Sequence, residues 1–162
     1  MEARRGTGSS PGTGRGGRLN PLAFEALPNE RASEIGEALE AEAFQGWLGL
    51  RFEEIRLGYA RARLPYRPEL LQGGGVVHGG AIATVIDSAV IGAVFSLFPQ
   101  RPRRVATIDL HVHYLDAVVG EDVIGEARVR RQGKSIVFVE IDARTSAGRE
   151  IAHGEVSCKL SA

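Results

Sequence analysis

The sequence has one cysteine, Cys158, so it forms no internal disulfide and no cysteine-rich zinc site. A reducing compartment, the cytoplasm, suits such a chain. Net charge is also missing. Twenty lysines and arginines balance twenty aspartates and glutamates, so no overall field draws the protein to nucleic acid. Proline is sparse at 7 residues, and the first twenty residues contain no apolar run to serve as a signal peptide. What is present is a globular balance, 43% hydrophobic and 25% charged, which excludes a collagen-like or wholly disordered chain. A length of 162 residues suits one domain.

One long apolar run exists. Residues 80–98 approach membrane-spanning length and carry a single charge, Asp87. A carboxylate near the middle of such a run is costly in lipid, and amphipathic strands follow it. The reading adopted is a helix buried by its own protein, with no membrane partner. Residues 1–25 form a basic, glycine-rich tail expected to be disordered, and 26–162 form the single domain. The tail holds a formal G-x-G-x-x-G at Gly12, Gly14 and Gly17, but neither a strand before it nor a helix after it supports dinucleotide binding.

Residues 30–44 read as an acidic amphipathic helix with Ser33 as N-cap and Ile35, Leu39 and Phe44 as its apolar stripe. Two short strands follow between Leu48 and Pro65, turning at Gly58. Beyond the long helix come four segments of period-two alternation. In 105–115, Ala106, Ile108, Leu110 and Val112 share a face opposite Thr107, Asp109, His111 and His113. The other three segments lie at 123–131, 135–145 and 150–160, with Gly120, Gly133 and Gly148 near the turns. The apolar face of such a sheet needs cover, and the long helix is the element apolar enough to supply it. The predicted fold is therefore α+β: an antiparallel sheet of five to six strands wrapped round one long central helix, the hotdog architecture.

Several catalytic signatures are missing. There is no G-x-S-x-G elbow, and Gly133-Lys134-Ser135 lacks the earlier glycine that a P-loop requires. His111 and His113 make a pair of imidazoles without a third or fourth metal ligand to join them, so no metal is assigned. Cys158 reads as a core thiol.

What remains is the start of the long helix. Gly79 and Gly80 lie where backbone N–H groups have no intrahelical acceptor, so this tip either caps and packs only or holds a carbonyl oxygen that becomes an oxyanion. Asp87, in an apolar helix, has either neighbouring hydroxyls such as Thr107 as partners or a desolvated carboxylate fit for general-base work. Eight residues at 1.5 Å each separate Gly79 from Asp87 by roughly 12 Å along the axis. One small carbonyl cannot touch both. Two antiparallel copies of the helix would bring Gly79 of one chain near Asp87 of the other, making a dimer obligatory if both act in one reaction.

The set Gln72-x6-Gly79-x7-Asp87, with His78-Gly79-Gly80 inside it, then Thr107-Ile-Asp109-Leu and Arg131-Gln-Gly133-Lys134-Ser135, resembles the hotdog-fold acyl-CoA thioesterases of the phenylacetate-degradation type. The resemblance spans about residues 45–160. It implies hydrolysis of an acyl-CoA thioester with no cofactor beyond the CoA of the substrate. The Gly79 N–H would bond the thioester carbonyl, with Gln72 assisting where many relatives carry Asn. Asp87 of the partner subunit would activate water or attack directly. Thr107 would orient the water, and His78 would position the loop or contact the acyl group beside Gly80. Arg130, Arg131 and Lys134, around Gly133 and Ser135, would contact the CoA phosphates. A homotetramer built as a dimer of dimers is the implied assembly. Two other readings of the same fold stand beside this one: a non-catalytic acyl-CoA binding domain, and a hydratase or dehydratase that would employ His111 or His113.

Overall fold

Alternating apolar side chains give this chain strands with one greasy face, and its all-apolar helix gives that face a partner. The computed structural model describes residues 23–100 and 104–161. Its order is α1 (Asn29–Glu40), α2 (Ala43–Leu48), β1 (Arg51–Arg56), β2 (Tyr59–Leu64), a short 3-10 helix (Pro68–Leu70), α3 (Gly79–Phe95), β3 (Arg104–Tyr114), β4 (Val123–Gln132), β5 (Ile136–Thr145) and β6 (Glu150–Ser161). The strands form one antiparallel sheet in the order β1-β2-β4-β5-β6-β3, curved round α3 as the alternation predicts. Most of residues 1–25, with the formal glycine motif, lies outside the described residues. Phe24 stacks on Tyr59 at 5.0 Å between centroids, and the Glu25 carbonyl accepts from Leu57 N–H at 2.9 Å.

The core is the seam between α3 and the inner face of the sheet. Val85, Ile86, Ala89, Val90, Ala93 and Val94 are fully buried, facing Ala62, Ala127, Val139, Ile141, Ala143 and Cys158. Two strand glycines let the helix lie close: a Cβ on Gly125 would sit 2.9 Å from Val85 Cγ1, and one on Gly154 would sit 2.9 Å from Ile86 Cγ2. The helix stops at Phe95, short of the predicted Phe98. Ser96 takes over there, its hydroxyl accepting from Gly58 N–H at 2.7 Å and donating to Ala93 O at 2.6 Å.

Three expectations need correction. Ser33 is not an N-cap, because α1 starts four residues earlier, after Pro28, and Ser33 lies exposed in the helix. The predicted 30–44 helix is two helices, broken where Glu40 turns to accept Phe52 N–H at 2.7 Å. Phe44 thus leaves the buried stripe and stands 53% exposed, stacked on Trp47, while Ile35 and Leu39 are buried as expected. The third correction concerns β3. A register shift between Thr107 and Asp109 inserts one extra residue against β6. Such a bulge reverses the phase of alternation. Val105 and Thr107 therefore point inward with Leu110 and Val112, whereas Ala106 and Ile108 face out, Ile108 at 56% exposure. No helix among the described residues is long and apolar enough to cross a membrane.

Candidate active site

The bulge aims a hydroxyl at the helix. Thr107 Oγ1 donates to Asp87 Oδ1 at 2.7 Å, and its oxygen lies 4.0 Å from Cys158 Sγ. Asp87 is half-buried at the middle of α3, and its second oxygen has no hydrogen bond among the described residues. The carboxylate is thus oriented on one side and open on the other. Cys158 is fully buried, and burial pushes its thiol up to about 11, against the pull of the Thr107 hydrogen bond. A thiol held protonated in this way is a poor nucleophile, in agreement with its reading as a core residue.

The start of α3 leaves a single donor free. His78 is the N-cap, and its Nδ1 accepts from Gly80 N–H at 2.8 Å, which puts the ring proton on Nε2. The N–H groups of Ala81 and Ile82 both return to the His78 carbonyl, at 2.9 and 3.3 Å. That leaves the Gly79 N–H without an acceptor among the described residues. Its position at the positive end of the helix suits it to a developing negative charge.

Both glycines lie in close quarters. A Cβ on Gly80 would lie 2.9 Å from the His78 Nδ1 that caps it. A Cβ on Gly79 would lie 3.3 Å from Tyr114 Cζ, and the Tyr114 hydroxyl donates to the Gly79 carbonyl at 2.8 Å. Tyr114 escaped the sequence reading. It continues the inner face of β3 beyond Leu110 and Val112, and only the tertiary fold shows that it reaches α3.

Gln72 sits in the arm that faces His78. Leu71 bridges Val77, His78 N–H donates to Leu70 O at 2.8 Å, and Gln72 N–H donates to Val76 O at 2.9 Å. Its side chain is exposed and makes no hydrogen bond among the described residues. Gln72, His78, Gly79 and Gly80 are thereby gathered at one end of α3, and Asp87 and Thr107 at its middle. One chain does not join the two groups: Gly79 is held at the Tyr114 end of β3 and Asp87 at the Thr107 end.

The basic hairpin shares the Thr107 end of the sheet. Val137 pairs with Cys158, and Cys158 with Thr107, so these three residues form one rung. The tip formed by Gly133, Lys134 and Ser135 lies just past that rung, two strand spacings or roughly 10 Å from β3. Arg130 is paired with Glu140 at 3.1 Å, whereas Arg131 and Lys134 are exposed with no ion pair among the described residues. His111 and His113 lie on the outer face of β3, 6.1 Å apart edge to face, turned away from α3. His153 is bound to Asp142 at 2.9 Å on that same outer face. Among the described residues no three His, Cys, Asp or Glu side chains are grouped to hold a metal ion.

Comparison with known proteins agrees with this fold. The model of the thioesterase superfamily matches residues 74–152, the stretch from the glycine loop to β6. A Halobacterium salinarum protein, described as an esterase by inference, is 37% identical over 123 residues, covering 74% of this chain and 81% of its own. Human acyl-coenzyme A thioesterase 13 is 34% identical over 82 residues, 49% of this chain and 57% of that one. Among solved structures, the Escherichia coli PaaI protein from the phenylacetic acid degradation operon superposes with a TM-score of 0.74 at 20% identity, covering 82% of this chain and 95% of that one. The fold is that of the hotdog thioesterases. The chain belongs to the thioesterase superfamily.

Proposed function

We propose that the protein hydrolyses an acyl-CoA thioester to the free acid and CoA at a site shared by two chains. The observation that carries this reading is the pairing of an open, hydroxyl-oriented carboxylate with a helix tip that has one uncommitted N–H. The Gly79 N–H takes the thioester oxygen and stabilises the negative charge that builds there. Asp87 of the partner subunit then either removes a proton from water as it adds to the carbonyl carbon, or adds directly to give an anhydride that water opens. In either case the C–S bond breaks and CoA leaves as its thiol. The Thr107 proton is committed to Asp87, so its oxygen is left to accept from the attacking water. Gln72 adds a second donor from the loop, and His78 shapes the loop by capping the helix.

The sheet supports the shared site. β3 is an edge strand of 11 residues, with one side unpaired among the described residues. A long exposed edge is a template for a second strand. Antiparallel pairing of two β3 edges runs the Tyr114 end of one toward the Thr107 end of the other, which carries Gly79 toward Asp87 of the partner subunit. Arg131 and Lys134, with Arg130 beside them, then supply cations for the CoA phosphates near that rung. The orientation of His111 and His113 away from Asp87 weighs against a hydratase.

Thiol release from a panel of acyl-CoAs tests the reading. Wild type should turn over at least one class, and Asp87→Ala should be slower by about 10²-fold or more, the usual contribution of a positioned base. Equal rates would remove Asp87 from the chemistry. Binding without release from any ester would make the domain an acyl-CoA binding module.

A further inference from the structure

The free N–H of a glycine is a poor catalytic donor unless something aims it. Gly79 has no side chain to limit its backbone, and it lies in the first turn of a helix, where fraying begins. Beyond the His78 cap, two further contacts limit that freedom, and both come from Tyr114. The ring fills the space that a Gly79 side chain would occupy, with Cζ 3.3 Å and the hydroxyl oxygen 3.4 Å from a Cβ built there. The hydroxyl donates to the Gly79 carbonyl at 2.8 Å. Tyr114 is 52% exposed, so its place is not dictated by core packing.

We infer that Tyr114 is a positioning residue: it ties down the peptide that follows Gly79 and packs against the Gly79 Cα, and so limits the rotation of the one uncommitted N–H at the helix tip. This rests on the reading of that N–H as the donor to the thioester oxygen. The physical consequence is specific. Donors to an oxyanion act over 2.7–3.1 Å, and a displacement of about 1 Å costs on the order of 10²-fold. A tip that has lost one tether but kept its cap moves by less than that. Substrate binding, which draws on the acyl group and the CoA moiety, is not held by this tether.

The test is Tyr114→Phe, which keeps the ring and removes the hydroxyl. In an active enzyme kcat should fall roughly tenfold while KM stays within about twofold, the split expected when transition-state aim is lost but ground-state binding is kept. Hydrogen exchange at the Ala81 and Ile82 amides should quicken by roughly fivefold, the loss of one net hydrogen bond at the tip, with the rest of α3 unchanged. Tyr114→Leu, which also removes the ring, should lower kcat further. Wild-type kcat in Tyr114→Phe overturns the inference, whatever the exchange shows. If wild type itself releases no thiol, the proposed activity fails, and exchange alone decides: unchanged rates at Ala81 and Ile82 then overturn the role of Tyr114.

Discussion

Two inactive chains should make one active enzyme. Along α3 the Gly79 amide and Asp87 are separated by roughly 12 Å. A reacting carbonyl sits within about 3 Å of its oxyanion donor and of its attacking oxygen. Even with the carbonyl bond between them, donor and base span roughly 7 Å for direct attack and roughly 10 Å with a water between, so a single chain falls short. Asp87→Ala removes the carboxylate. Gly79→Val forces a branched side chain against the Tyr114 ring, already 3.3 Å from a bare Cβ, and closes the tip. Each variant alone should be nearly inactive. When the two are co-refolded in equal amounts, random assortment gives about one half heterodimers, and each of these has one of its two sites wholly wild type. The mixture should therefore recover about one quarter of wild-type thiol release, read with a chromogenic disulfide after removal of excess subunit. Melting curves and far-UV spectra establish that both parents fold. A mixture no more active than the sum of its parents, with heterodimers demonstrated by tagged pull-down, would refute the shared site.

Three further outcomes follow from the same contacts. Replacing His78 by Ala should destabilise the protein by about 1 kcal/mol, the usual worth of an N-cap, whereas His78→Asn, which caps through its amide oxygen, should recover most of that in urea titrations. Gly154→Ala should lower stability by about 1–3 kcal/mol, because the new methyl sits 2.9 Å from Ile86 Cγ2 on a helix with no slack. Asp122 accepts from Tyr66 N–H at 2.8 Å and pairs with Arg63 at 2.9 Å, and these partners, the backbone donor first, hold its carboxyl below the usual 3.8. Its contribution is therefore full above about pH 4–5 and lost as pH falls through the lower folded value, so the melting-temperature gap between wild type and Asp122→Asn should be constant at neutral pH and close below about pH 4.

Much of this architecture is legible in residue order because local pattern and global fold agree there. The alternation of Val137, Val139, Ile141 and Ala143 places each of them against α3, as period two requires. Gly79, Gly80 and Asp87 stand out because a glycine pair and a lone acid are conspicuous beside a run of apolar residues. The phase of β3 was not legible. Its bulge is a property of the pairing between two strands, and a count along one of them has no place for an extra residue. Thr107 was picked as a partner of Asp87 and at the same time assigned to the wrong side of its strand, an inconsistency that only the bulge removes. The break between α1 and α2 was hidden for a similar reason: Glu40 ends the first helix by bonding to a strand twelve residues on. Tyr114 follows Leu110 and Val112 on the inner face, but that it reaches the tip of α3 depends on how the sheet curves round the helix.

The interval from Thr107 to Tyr114 works as a ruler. One landmark grips the carboxylate and the other grips the tip of the rod, and the surplus residue between them sets where each mark falls. Pairing the same residues without the bulge would leave composition and hydrophobicity untouched, yet it would turn the threonine outward while the tyrosine kept its bearing. Kinship to this active site is therefore better judged by counting positions along that strand than by matching its letters.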